Sequence, residues 1–172
     1  MSTPFHLHGK TILITGASSG IGSHTAWRIT EMGGKVILSG RNSERLLKTA
    51  KKCNLNEDSI VIADISTPEG RHQLASSIPG IDGFVSCTGT VHPFPVRFLD
   101  QQKMDQTMNV NFEAPVLLTS ALLKEKKIKA ECFDVIYRLD LPYQSVVLRQ
   151  IQIHHISRAG RWRVLSRLLL FG

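Results

Sequence analysis

Short apolar, β-branched runs alternate with helix-like stretches along the first 130 residues, and no other feature of the chain constrains its fold as strongly. The run "KTILIT" (10–15) is followed from Gly20 by a helical pattern ending at Gly33 and Gly34, in which Ile21, Ala26 and Ile29 can share a face. "KVILSG" (35–40) is the next strand and "SERLLKTAKKC" (43–53) the next helix, with Ser43 placed as its cap. "SIVIAD" (59–64), a helix over "PEGRHQLASSI" (68–78), "IDGFVSC" (81–87) and a long helical stretch from about Gln101 to Lys127 complete the series. Each strand-crossover-strand unit takes about 30 residues. This alternation predicts an α/β fold, a doubly wound parallel sheet covered by helices on both faces.

Composition narrows the class further. A chain of 172 residues is the size of one domain. With 42% hydrophobic and 20% charged residues it has the make-up of a globular protein rather than a fibrous or disordered one. No window approaches the roughly 18 uncharged apolar residues of a spanning helix, and the start lacks a signal-peptide pattern. The expected location is cytoplasmic, with no membrane partner. Three cysteines, Cys53, Cys87 and Cys132, lie far apart and read as reduced thiols. His6 and His8 lack a third ligand nearby, so no metal site is expected.

The net charge of +7 is unevenly placed. Residues 1–134 hold 15 Lys and Arg against 13 Asp and Glu, whereas residues 135–172 hold six Arg against Asp140 alone. All ten lysines fall at or before Lys129. The Arg-rich segment "SRAGRWRVLSR" (157–167), with Trp162 among its arginines, could in principle contact RNA. Such a segment is more often merely solvated, so no nucleic-acid partner is expected.

Behind the first strand, "LITGASSGIG" (13–22) places three glycines at the entrance to a helix. A strand that turns through glycines into a helix N-terminus presents free backbone N–H groups and the positive end of a dipole, which favour a phosphate. Gly16 then allows the tight turn, Gly20 lets the backbone approach a pyrophosphate, and Gly22 allows the helix to pack closely. Ser18 and Ser19 can add hydroxyl donors. The spacing is G-x-x-x-G-x-G, not the general G-x-G-x-x-G fingerprint.

Four motifs together resemble the short-chain dehydrogenases/reductases: "TGASSGIG" (15–22), "ADIS" (63–66), "VSCTG" (85–89) and "MNVNFEAP" (108–115). They occur in that family's order, over roughly residues 8–130. The resemblance implies a Rossmann-like dinucleotide-binding domain over 1–130, with residues 131–172 an atypical tail of edge strands or poor order. It implies that Asp64 contacts the adenine ring, with Ile65 its apolar neighbour, and that Gly89 lies beside the nicotinamide ribose. Asn111 resembles the helix asparagine that anchors a water in the proton relay, the one catalytic residue carried over. Ser-Cys-Thr-Gly (86–89) stands where the family usually has Asn-Asn-Ala-Gly.

Charge bears on the choice of cofactor. An acid about 20 residues past the glycine turn would bind the ribose diol of NAD and repel the extra phosphate of NADP. Position 40 is instead Gly40, followed by Arg41, whose guanidinium can pair with a phosphate. NADP is therefore expected, and NAD less favoured.

The acid-base part is missing. Hydride transfer to a carbonyl needs a proton donor, and a tyrosine serves near neutral pH only beside a cation that lowers its pKa of about 10. The family supplies tyrosine followed four residues later by lysine, with a serine upstream. Here Tyr137 is followed at the fourth place by Leu141 and Tyr143 by Val147, and Ser145 and Ser157 have no such partner. From about Glu131 the family pattern ends abruptly, which points to a reading-frame shift or a truncated gene. Reading the coding DNA one or two bases out of step beyond residue 130 tests this. The expected function is an NADP-dependent oxidoreductase by resemblance, acting between an alcohol and a ketone in an intact relative and inactive in this form. The alternative is a non-catalytic NADP-binding module. A sheet incomplete at its C-terminal side exposes apolar edge and face, so poor stability and self-association are expected.

Overall fold

The computed structural model describes residues 7–90, 95–137, 151–156 and 162–166. Tyr143, Ser145, Ser157, Arg158, Arg161, Arg167 and His6 lie outside the described residues. The first four strands are β1 (Thr11–Thr15), β2 (Lys35–Gly40), β3 (Ile60–Ile62) and β4 (Ile81–Ser86). They alternate with α1 (Gly20–Glu31), α2 (Ser43–Lys52) and α3 (Pro68–Ser77). After β4 come α4 (Gln101–Met108), α5 (Ala114–Lys124) and β5 (Ile128–Tyr137), then β6 (Ile151–Ile156) and β7 (Trp162–Ser166).

The sheet runs β3-β2-β1-β4-β5-β6-β7. The first five strands in that order are parallel, and β6 and β7 join antiparallel beside β5. Strand β5 crosses residue 130, the boundary expected between domain and tail. Along β1 the side chains alternate between two cores, as a two-residue period requires. Leu13 packs with Ile37 and Phe84 beneath Leu74 of α3 and Leu118 and Leu122 of α5. Ile12 and Ile14 pack with Val36 and Leu38 beneath Ala26 and Ile29 of α1 and Leu46 of α2. The sheet is thus doubly wound, with each fully buried Leu or Phe contributing about 1.5–3 kcal/mol of apolar burial.

Three local details differ from the expectations and have physical causes. Helix α2 is capped by Asn42, whose Oδ1 accepts from the Arg45 N–H at 2.9 Å, so Ser43 is its first residue rather than its cap. Ile21 does not share the buried face of α1, which is formed by Gly22, Ala26 and Ile29. Five residues of helix carry Ile21 about 140° around the axis from Ala26, and its side chain turns to the cleft described below. The long helix expected over 101–127 is interrupted by a π-helical turn, Asn109–Glu113. Pro115 has no N–H to give the carbonyl of Asn111 four residues earlier, and the Ala114 N–H bonds Asn109 instead, five residues back.

At the opposite end of the sheet from the site, Asp82 joins three strands. Its Oδ2 accepts from the Thr11 N–H at 2.9 Å and from Lys129 Nζ at 2.7 Å, and Lys10 lies 3.8 Å from Oδ1. Burial alone would raise the Asp82 pKa, but the hydrogen bonds from Lys129 and Thr11 and the charges of Lys129 and Lys10 together hold it below the ordinary aspartate value. A lowered folded pKa adds stability that is complete above about pH 4 and is lost as pH falls through the lowered value. Asp82→Asn should therefore cost about 1 kcal/mol near neutral pH and flatten the acid limb of a urea-unfolding series. An unchanged acid limb would remove Asp82 from this role.

Among the described residues, no helix is long and apolar enough to cross a membrane.

Candidate dinucleotide cleft

Strand order reverses at β1, whose two neighbours β2 and β4 lead to helices on opposite faces of the sheet. Beyond the carboxyl ends of strands at such a switch point the connections diverge and leave a crevice. A cleft of about 360 Å³ opens there. Its floor is the glycine-rich turn after β1, including Gly16, Ser18, Ser19, Gly20, Ile21 and Gly22. One side carries Gly40, Arg41 and Arg45 after β2, with Asp64 and Ile65 after β3. The other carries Cys87, Thr88 and Gly89 after β4, with Val110 from the π-helical turn.

The three glycines of the turn have separable roles. Gly16 has φ 69°, and a Cβ there would stand 2.5 Å from the Cys87 carbonyl carbon and oxygen. The turn after β1 thus lies directly against the loop after β4. A Cβ on Gly22 would meet the Gly16 carbonyl oxygen at 2.3 Å, so α1 packs on the turn itself. Gly20 has φ 53°, but a Cβ there would meet nothing within 4 Å among the described residues. It faces open space at the start of α1. Ser19 occupies the N-cap position with extended backbone, yet its hydroxyl accepts no bond from the first turn, and no acidic side chain stands there. Among the described residues, the opening N–H groups of α1 therefore lack a side-chain partner.

Asp64 sits at the rim. Its Oδ1 accepts from the Ser66 hydroxyl at 2.6 Å and the Ser66 N–H at 3.0 Å, and its Oδ2 lies 3.7 Å from Arg41. Burial pushes its pKa up, but these hydrogen bonds and the Arg41 charge outweigh that and hold it below the ordinary value, so it is ionised near neutral pH. The loop is held on several sides. Arg71 donates to the Ile65 carbonyl at 2.8 Å and Asn109 to the Ser66 carbonyl at 3.3 Å. A Cβ on Gly70 would strike the Asp64 carbonyl oxygen at 2.0 Å, so α3 closes directly under Asp64.

Asn111 lies beside the cleft rather than in its lining. Its Oδ1 accepts from the Thr90 N–H at 2.7 Å and its Nδ2 donates to the Thr90 carbonyl at 2.9 Å. The side chain thus clamps the loop after β4 in both directions. Cys87, where an asparagine was the familiar residue, is a neutral thiol: burial pushes its pKa up to about 12. Sequence reasoning missed Arg45, Gly70 and the Asn109 bond to Ser66. Of these only Gly70, a glycine in a helical first turn behind the Thr67 cap, left a readable signal.

The short chain dehydrogenase family model matches residues 10–131. The chain belongs to the short chain dehydrogenase family. Over 122 residues it is 37% identical to the 3-oxoacyl-[acyl-carrier-protein] reductase FabG of Rickettsia prowazekii, covering 69% of this chain and 49% of that protein. It is 36% identical over 129 residues to the uncharacterized oxidoreductase YciK of Escherichia coli, covering 68% and 50%. Among solved structures, the citronellol catabolism dehydrogenase AtuB of Pseudomonas aeruginosa is similar with a TM-score of 0.65 and 28% identity, covering 73% of this chain and 54% of that one. A dehydrogenase/reductase from Sinorhizobium meliloti aligns with a TM-score of 0.63 and 27% identity, covering 69% and 50%. The chain spans about half the length of the curated relatives it matches. This family binds a nicotinamide cofactor, and the chain is an oxidoreductase-family member by that membership.

Proposed function

We propose that the cleft binds a nicotinamide dinucleotide, NADP(H) in preference to NAD(H), and that these 172 residues hold it without completing hydride transfer. The observation that carries this reading is the start of α1. Gly20 opens α1 with no neighbour within 4 Å of its Cβ position, and among the described residues no side chain caps the first N–H groups of that helix, a start that favours a diphosphate. Gly16, Ser18, Ser19, Ile21 and Gly22 form the surrounding turn, and the donor set suits the group.

Asp64 and Ile65 then border the adenine, with the carboxylate fixed by Ser66, and Gly89 borders the nicotinamide ribose. The absence of an acid at Gly40 and the presence of Arg41 favour the phosphorylated adenosine. Asn111 contributes by holding the Thr90 loop, and hence the Gly89 end of the cleft, in place. When bound, the nicotinamide supplies or accepts the hydride. The chain must place a proton at the carbonyl oxygen, and no tyrosine in it is followed four residues later by lysine.

In a relative with that pair the same cleft would serve interconversion of an alcohol and a ketone, the chemistry named by the 3-oxoacyl reductases it resembles. The test pairs binding with turnover. NADPH should bind the purified chain while its oxidation on a panel of ketones stays at the protein-free rate. Ketone-dependent oxidation of NADPH would overturn the reading.

A further inference from the structure

The outer side of α4, the π-helical turn and α5 carries a row of large apolar side chains. Met104 and Met108 lie one turn apart on α4, and Val116 and Leu123 lie two turns apart on α5. A π-helical turn advances less per residue than an α-helix, so Phe112, four residues past Met108, bridges the two pairs. These five are 40% to 51% exposed, whereas Ala114, Leu118 and Leu122 on the sheet side of α5 are fully buried. Single exposed apolar residues are ordinary, but a continuous stripe of this length marks a surface that something covers. Glu113, beside Phe112, makes no ion pair among the described residues.

The occupant is indicated by where the described chain stops. Strand β6 is antiparallel to β5 and β7 to β6, so β7 runs in the direction of β5. Its last residue, Ser166, is in register through Gln152 and Ile136 with Ser86, at the cleft end of the sheet. The π-helical turn stands at the same end, where Asn109 and Asn111 bond the loops after β3 and β4. Helix α5 lies over Phe84 of β4, and three strand spacings, about 14 Å, separate β4 from β7. Residues 167–172, RLLLFG, follow Ser166 outside the described residues and beyond the family match at 10–131. Six extended residues reach about 20 Å, which exceeds that separation. They hold four consecutive large apolar residues, Leu168, Leu169, Leu170 and Phe171, directly after Arg167.

We propose that residues 167–172 fold back across this stripe, with the three leucines and Phe171 on Met108, Phe112 and Val116 and with Arg167 beside Glu113. The stripe is thus covered from within the chain rather than by a second copy. Met104 and Met108 suit that role, because a flexible thioether side chain repacks against an irregular apolar run.

Photo-crosslinking of the full chain tests this. With Phe112 replaced by the photoreactive benzoylphenylalanine, irradiation should give adducts within one chain that mass spectrometry maps to residues 167–172. Leu169→Asp combined with Phe171→Asp should abolish them. The same probe at Val116, a second exposed position of the stripe, should give the same adducts, and at Lys48 of α2, on the opposite face of the sheet, it should give none. Adducts joining two chains would seat a second copy on the stripe and overturn the proposal. So would adducts from both stripe positions confined to other segments, adducts that survive the two aspartates, or no adduct from either stripe position.

Discussion

Gly16→Ala should lower the stability of the chain by about 2–5 kcal/mol. Two costs combine. A left-handed conformation costs an L-residue about 1–2 kcal/mol, and Gly16 has φ 69°. The added Cβ also meets backbone, not a flexible side chain: the Cys87 carbonyl at 2.5 Å and the Thr88 nitrogen at 2.7 Å. Overpacking of that kind costs about 1–3 kcal/mol. Separating the turn after β1 from the loop after β4 would relieve the clash, but it would break the Cys87 N–H to Thr15 carbonyl bond at 2.9 Å and open the cleft floor. Against a typical total of about 5–15 kcal/mol the loss is large. Thermal unfolding should show a fall of roughly 5–20 °C, and a melting temperature within about 2 °C of the parent would contradict the close approach.

Gly20→Ala should do the reverse, sparing the fold and removing the ligand. Its φ of 53° costs an alanine about 1–2 kcal/mol, but the new methyl touches nothing within 4 Å among the described residues. That methyl is added at the first residue of α1, which lines the cleft and whose N-cap residue, Ser19, makes no capping bond. NADPH affinity should drop at least tenfold, about 1.4 kcal/mol or more, with the unfolding transition still cooperative. The pair of variants therefore separates architecture from recognition within one five-residue stretch. Retention of parent affinity by Gly20→Ala would mean that the phosphate lies elsewhere.

What could be read from the sequence follows from how local each determinant is. Strand β2 falls on "KVILSG" and α3 begins at the expected Pro68, because a β-branched run and a Thr-Pro cap are short-range signals. The glycine turn was legible for the same reason, and Gly16, Gly20, Arg41, Asp64 and Gly89 gather around one cleft. The π-helical turn was not legible, since it depends on a proline withholding one donor and on Asn109 and Asn111 reaching loops 43 and 21 residues away in sequence. Ile21 departs from the buried face of α1 because its direction around the helix differs from that of Ala26. Arg45 carries no local signal, because on a helix pattern it is one more exposed cation. Only the folded chain shows that Arg41 beside it is already paired with Asp64.

The family relationship covers the region in which these contacts lie, residues 10–131, and the acid-base pair is absent from all 172 residues. On the proposed reading, these 172 residues bind NADPH without reducing a ketone.

The most direct test is the melting temperature of the purified chain against rising NADPH and NADH. A ligand held only by the folded state at a hundredfold excess over its Kd adds about 2.7 kcal/mol. NADPH should therefore raise the transition by roughly 5–10 °C, and NADH should need a higher concentration for the same shift. A transition that neither dinucleotide moves would contradict the account.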